Sequence, residues 1–260
     1  MLKIDSNILS NDNPMLDTSK ISITAFFPAY YDEGNIGKVV DKAVEVLESL
    51  KLKDYEVIII EDGSPDKTGE VADQLAGKYD KVRVIHHEKN MGYGATLKDG
   101  FLNAKMDYVF YSDGDNQFDL DELRKFVALL PFSDIVVGYR KHKQYSLYRK
   151  FTSLCYNYLL RLLFDIHYWD IDCAFKIFKT DLFKKININS VDAFIDAEIM
   201  LKANLHDYTV TEVGVLHLPR LDGISTGARP SVIFRTIKEV LDYKKEYDRE
   251  LKLKKSKLNS

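Results

Sequence analysis

From Ile21 onward the chain alternates short apolar runs with longer segments of helical period, and that order constrains the fold more than any other feature. The runs ISITAFFPA (21–29), YEVIIIEDGS (55–64), VRVIHH (82–87) and YVFYSDGD (108–115) carry consecutive apolar residues, as strands buried on both faces do. Between the first two, Asn35 to Leu50 sets Ile36, Val39, Val40, Ala43, Val44 and Leu47 on one helical face. Further helices are expected at about 67–79 and 94–104. The expected class is α/β: a Rossmann-like, mostly parallel central sheet flanked by helices.

In open sheets of this kind, ligands bind beyond the carboxyl ends of the strands. The polar clusters follow the strands here: PAYYDEGN, EDGSPDKT, NMGYGAT and DGDNQFD. After SDIVVGYRK (133–141) the alternation weakens, Tyr145 to Trp169 reads as a long aromatic-rich helix, and a less regular half is expected. From Ser231 a charge-rich amphipathic helix leads into a Lys-rich end. The expected organisation is an N-terminal tail (1–20), one catalytic domain (21–230) and a C-terminal helix with a Lys-rich tail (231–260).

At 260 residues, with 45% hydrophobic and 30% charged residues and a net charge of -3, the chain suits one sizeable core and lacks the basic field of a nucleic-acid binder. No nucleic-acid partner is expected. Cys155 and Cys173 form neither a disulfide framework nor a zinc spacing, so a reducing, cytoplasmic compartment is the expectation. The first twenty residues lack the apolar core of a signal peptide. The longest apolar stretch, Phe151 to Trp169, is broken by Arg161 and Asp165, short of the ~20 residues that span a bilayer. Contact with a membrane is therefore expected from its surface.

Asp113, Gly114 and Asp115 lie where a buried strand runs out into a loop, so two carboxylates project beside a residue small enough for close ligand approach. Such oxygen donors suit Mg²⁺ or Mn²⁺ bridging to phosphate oxygens. In isolation DGDN would be an Asp/Gly turn; its place among the other strand-end loops supports the metal reading. Asp62 is placed to accept hydrogen bonds from a base or ribose and also to cap the helix starting near Pro65 to Lys67. Tyr30 can stack on a base, and Glu33 either binds ribose or caps the next helix. KNMGYGAT matches neither G-x-G-x-x-G nor a terminal G-K-S/T, which argues against Walker nucleotidases and dinucleotide-binding oxidoreductases. Gly92 and Gly94 read as turn geometry ahead of a helix.

Taken in order, PAYYDE, EDGSPD, NMGYGAT and DGDNQFD resemble family 2 glycosyltransferases of the GT-A fold, especially the dolichyl- and polyprenyl-phosphate sugar synthases. DIDCAFKIF resembles that family's D-x-x-x-G-F-K/R segment, FIDAEIMLKA its F-x-x-E acceptor-side helix, and RLDGIS its R-x-x-G-x-S loop. The resemblance runs from Ile21 to Thr226. This chain departs from the pattern at Tyr31 (usually Asn), Ala174 (usually Gly) and Thr226 (often Lys).

The resemblance implies donor contacts from Pro28, Tyr30, Glu33 and Asp62, and a metal, Mg²⁺ or Mn²⁺, on Asp113 and Asp115. It puts Gln117 near the sugar or metal, Asp172 and Lys176 at the substrate, Arg140 near donor and acceptor phosphates, and Arg220 and Ser225 at the acceptor phosphate. Asp115, Arg140 and Glu198 form the implied catalytic group. Glu198, with Asp196 two residues earlier, is either a general base for a hydroxyl acceptor or a carboxylate paired with Lys202 at i+4. Asp170 and Asp172 face the same choice between the acceptor site and an Asx-type turn.

The implied reaction is inverting, metal-dependent transfer from a UDP- or GDP-sugar to a polyprenyl phosphate at the cytoplasmic face of a membrane. A hydroxyl of a cell-surface glycan is the alternative acceptor, and a non-catalytic nucleotide-sugar or lipid-binding module the alternative class. Tyr148, Phe151, Leu154, Cys155, Tyr158, Leu159 and Leu162 form one apolar stripe, which fits an interfacial helix and a core helix alike. Membrane contact is then either peripheral association or the work of an anchoring partner subunit.

Overall fold

In the computed structural model, which describes residues 17–141, 147–219 and 230–258, the apolar runs assemble into one seven-stranded sheet. Strand β1 (Ser22–Ala29) is buried at every position, because it has a parallel neighbour on each edge and packed layers on both faces. Strands β2 (Asp54–Glu61) and β3 (Val82–His86) extend the sheet on one side, and β4 (Tyr108–Ser112) pairs with β1 on the other. These four strands are parallel. Beyond β4 come β5 (Ile135–Arg140), β6 (Phe175–Lys179) and β7 (Val210–Val215), in the overall order β3-β2-β1-β4-β6-β5-β7. Strand β6 runs antiparallel to both β4 and β5, so the regular parallel pattern ends there.

The helices are α1 (Ile36–Ser49), α2 (Thr68–Lys78), α3 (Tyr93–Leu102), α4 (Leu123–Leu129), α5 (Leu147–Phe164), α6 (Leu182–Lys185), α7 (Ile195–Leu205) and α8 (Pro230–Leu258). Helix α1 buries the face its periodicity marks, with Val46 added. Helix α3 packs so closely on β1 that a Cβ at Gly100 would stand 2.3 Å from the Phe26 ring. Phe26, Phe101, Tyr111, Phe178 and Phe183 form an aromatic cluster there, with Phe101 and Phe183 stacked at 4.2 Å.

Helix α8 packs on α5 and α7 through Val240, Tyr243 and Tyr247, with Tyr247 edge-on to Phe164 at 5.1 Å and Tyr243 5.5 Å from Phe194. Among the described residues, no helix is long and apolar enough to cross a membrane. The chain winds outward from β1 through β2 and β3, then returns to place β4 on the opposite side. A topological switch point therefore lies between β1 and β4, where loops diverge and a crevice can form.

Candidate active site

Pairing between β1 and β4 ends at Phe26 and Tyr111, short of Pro28, whose missing N–H therefore breaks none of those pairs. The Pro28 carbonyl faces the loop after β4: a Cβ at Gly114 would stand 2.6 Å from that oxygen. This contact within the protein requires Gly114 to be small, a reason separate from the ligand approach expected from the sequence. Asp113 and Asp115 flank this point of contact.

Asp113 Oδ1 accepts a hydrogen bond from the Tyr93 hydroxyl at 3.2 Å. Burial, reinforced by the charges of Asp115 and Asp196, pushes its carboxyl up to about 7 against the pull of the Tyr93 hydroxyl and Arg140. Asp115 is buried, and its Oδ1 accepts the Gln117 N–H at 3.1 Å. Gln117 in turn donates from Nε2 to the Leu218 carbonyl at 3.1 Å and receives the Leu218 N–H at 2.8 Å. It ties the loop after β4 to the segment that follows β7.

At the end of β5, Arg140 grips Asp170 with its fork, Nε to Oδ2 at 2.6 Å and Nη2 to Oδ1 at 2.8 Å. Asp172 lies two residues on, and its Oδ1 is buried with no hydrogen-bond partner. Burial and the charges of Asp170 and Asp196 push the Asp172 carboxyl up to about 7, opposed by Arg140 and Lys176. The Tyr156 hydroxyl on α5 is also buried without a partner, and Asp172 is the charge acting on it most strongly. Lys176 is 1% exposed, so its ammonium is interior; it pairs with Asp196 and donates to the Tyr111 hydroxyl at 3.0 Å. Tyr111 donates to Asp196, which begins α7.

Glu198, one turn into α7, points elsewhere. Its carboxylate accepts the N–H groups of Asn189 (3.0 and 3.1 Å) and Ser190 (2.8 Å) and pairs with Lys202 Nζ at 2.7 Å. The loop so held, 189–192, packs on α3: a Cβ at Gly94 would come within 2.4 Å of the Val191 backbone.

The remaining loops lock one another. Tyr31, at φ 58°, donates its N–H to Ser64 Oγ at 2.9 Å, and the Asp32 N–H donates to Thr68 Oγ1 at 2.9 Å. The Tyr30 and Tyr31 rings meet edge to face at 4.7 Å, with Tyr31 exposed. Glu33 accepts the Lys67 N–H at 2.9 Å, so it caps α2 rather than α1. Asp66 accepts the Thr68 N–H at 3.0 Å, taking the capping part expected of Asp62. Asp62 accepts the N–H groups of Met91 (2.7 Å) and Gly92 (3.0 Å) and faces His87 Nδ1 at 2.7 Å, which fixes the loop leading into α3.

The structure thus gathers Asp113, Asp115, Arg140, Asp172 and Lys176 into one electrostatic neighbourhood with Asp170 and Asp196, and engages Glu33, Asp62 and Glu198 in loop and helix contacts. Arg220 and Ser225 lie outside the described residues. Sequence reasoning missed Tyr93, Tyr111 and Tyr156. An aromatic in a strand or an apolar helix looks like core, and only the neighbours of its hydroxyl distinguish it.

Among the described residues, the carboxylates Asp113, Asp115, Asp170, Asp172 and Asp196 share this neighbourhood with the cations Arg140 and Lys176. Carboxylate oxygens gathered in this way fit a hard divalent cation. Among the described residues, no three His, Cys, Asp or Glu side chains form a metal cage, so a cation here would complete its shell with water and phosphate oxygens, the habit of Mg²⁺.

Fold and site define a GT-A-type α/β protein with acidic residues at the switch point of its sheet. The glycosyl transferase family 2 sequence profile matches residues 24–187, and the chain belongs to that family. It is 31% identical over 211 residues to Glycosyltransferase AglD of Haloferax volcanii, covering 78% of this chain and 34% of that protein. It is 26% identical to the dodecaprenyl-phosphate galacturonate synthase of Rhizobium johnstonii, covering 85% of this chain and 65% of the relative. To the dolichyl-phosphate beta-glucosyltransferase of Homo sapiens it is 28% identical, with 76% and 68% covered. The chain therefore spans about a third of AglD and about two thirds of the other two. Among solved structures, glucosyl-3-phosphoglycerate synthase from Mycobacterium tuberculosis, in complex with Mn²⁺, uridine diphosphate and glucosyl-3-phosphoglycerate, superposes with a TM-score of 0.66 at 15% identity, covering 85% and 79% of the two chains. At that identity the likeness is one of fold.

Proposed function

We propose that this chain carries out inverting, metal-dependent transfer of a sugar from a UDP- or GDP-sugar to a polyprenyl phosphate at the cytoplasmic face of a membrane. The observation that carries the reading is the carboxylate pair Asp113 and Asp115, side by side at the switch point of a family 2 chain. The names of the Rhizobium and human relatives, both lipid-phosphate sugar synthases, support the acceptor class. Mg²⁺ or Mn²⁺ held by Asp113 and Asp115 would supply Lewis-acid neutralisation of the departing diphosphate.

The acceptor oxygen attacks the anomeric carbon from the face opposite the diphosphate. As the new C–O bond forms, the bond to the diphosphate oxygen breaks, and the electron pair leaves with the nucleoside diphosphate. A phosphate monoester is already anionic near neutral pH, so the step needs positioning and charge neutralisation more than proton removal. That demand fits a site in which Glu198 is taken up by N–H groups and Lys202, and Asp196 by Tyr111 and Lys176. Arg140, fixed in place by Asp170, is oriented toward the acidic cluster and suits phosphate pairing.

The test is incubation of the protein with Mn²⁺, labelled UDP- and GDP-sugars and a polyprenyl phosphate in detergent, followed by extraction into organic solvent. Metal-dependent label that disappears with Asp115→Ala supports the reading. Release of nucleoside diphosphate without lipid label would redirect it to hydroxyl acceptors. One observation favours that second reading: Asp172 has a buried oxygen without a partner and a carboxyl pushed up to about 7, suited to accept a hydroxyl proton. Under it, Asp172→Asn loses turnover, while under the first it retains most.

A further inference from the structure

We propose that the outward faces of α5 and α8 form a docking surface for an anionic lipid bilayer, an inference that deepens the lipid-phosphate reading and rests on it. Helix α5 turns Leu160 and Phe164 inward and leaves Leu154, Tyr158 and Leu162, spaced four apart, 69%, 67% and 70% exposed. The apolar stripe seen in the sequence is therefore, at these positions, the solvent face of the helix. Helix α8 buries Val240, Tyr243 and Tyr247 and leaves Phe234 75% and Leu241 51% exposed. The two helices lie side by side, with Phe164 packed against Tyr243 and Tyr247 and Lys244 Nζ 5.8 Å above the Phe164 ring. Large apolar side chains this exposed on adjoining helices mark an interaction surface.

Charge selects the occupant. Lys238, Lys245, Arg249 and Lys252 are exposed on α8, as is Arg161 on α5. At ~100° per residue, Phe234, Lys238, Leu241, Lys245, Arg249 and Lys252 share roughly a quarter of the helix circumference, opposite the buried tyrosines. Asp242 and Asp248 fall at its margins. Apolar and basic residues on one face are what an interfacial helix presents, its apolar side chains entering the acyl boundary and its cations meeting anionic headgroups. A second copy of the chain would bring like charges together, which opposes self-association.

The inner faces of the same helices reach the candidate site. Tyr156 of α5 lies near Asp172 and Asp196, and Glu239 of α8 is close enough to act on the same Tyr156 hydroxyl. Docking through the outer faces would bring that site to the level where a lipid phosphate is presented.

The test is co-sedimentation of the full chain with phosphatidylcholine vesicles, with and without phosphatidylglycerol. Binding that requires phosphatidylglycerol and weakens with salt is expected. Lys238→Gln/Lys245→Gln should bind about 25-fold more weakly, about fivefold for each lysine. Leu154→Ser/Leu162→Ser should release the protein without lowering Tm, since both side chains are exposed. Binding unaltered in both variants, no binding by the parent, or lipid-free dimerisation that Leu154→Ser/Leu162→Ser abolishes would each overturn the proposal. Transfer to a short-chain, water-soluble acceptor phosphate separates the two readings. Transfer without vesicle binding sinks the docking surface alone, and vesicle binding without transfer to any lipid phosphate sinks the reading beneath it.

Discussion

Glu198→Gln separates a reacting carboxylate from one that holds a loop. Glu198 and Lys202 side chains are 1% and 6% exposed and 2.7 Å apart, so solvent screens their attraction little. Glutamine keeps the shape and one carbonyl acceptor for the Asn189 and Ser190 N–H groups. It removes the charge, leaving the Lys202 ammonium buried with the Asn187 carbonyl and the Tyr243 ring, 5.4 Å away, and with no other carboxylate paired to it among the described residues. Breaking a buried pair from one side costs about 3–5 kcal/mol. At roughly 2–4 °C per kcal/mol for a chain of this size, Tm should fall by about 10 °C. Differential scanning calorimetry reads the fall, and Glu198→Gln/Lys202→Met should recover part of it, with a coupling energy of about 1–3 kcal/mol. Sugar transfer measured well below the transition should stay within a few-fold of the parent. An unchanged Tm together with a loss of turnover of about 10²–10⁴ would refute this reasoning and make Glu198 the general base.

Asp113→Asn removes one of the carboxylates that repel each other, so the metal-free variant should melt higher than the parent. The rise in Tm that Mn²⁺ gives the parent should be lost, as thermal shift with and without the metal would show. Asp172 titrates near 7 in the fold against an ordinary value of 3.8, so from about pH 4 to 7 the unfolded chain has given up a proton that the folded chain retains. Stability conferred by the protonated form is complete below about pH 4, falls as pH rises, and levels off above about 7. Asp172→Asn should therefore gain Tm on the parent across that window and hold a constant lead above it. Gly100→Ala should destabilise by about 1–2 kcal/mol in urea unfolding, because overpacking against the buried Phe26 ring outweighs the helix propensity of alanine.

Much of the fold was legible. Strands β1 to β4 and helices α1 to α3 fall where periodicity put them, with the third helix running Tyr93–Leu102 rather than 94–104. Local sequence sets these elements because a buried strand and an amphipathic helix each need a pattern their own residues supply. The reversal of β6 was not legible, since its direction depends on pairing with β4 and β5 across long stretches of chain. In the candidate site, the polar loops after the strands were visible and the partners of their side chains were not. Asp66 and Glu33 hold the start of α2, while Asp62 holds the loop before α3.

By itself, the sequence determined an α/β sheet with carboxylates at the ends of its strands, the order of its motifs and, through them, its family. These depend on residue type and spacing along the chain. Only the tertiary structure decided that Asp113, Asp172 and Asp196, from three separate segments, crowd together while Glu198 does not join them. It also decided that Gly114 packs on Pro28 and that Leu154, Tyr158 and Leu162 of α5 face outward. The physical reason is that charge, burial and steric contact act through distance in space, and a pattern read along the chain carries distance only between near neighbours.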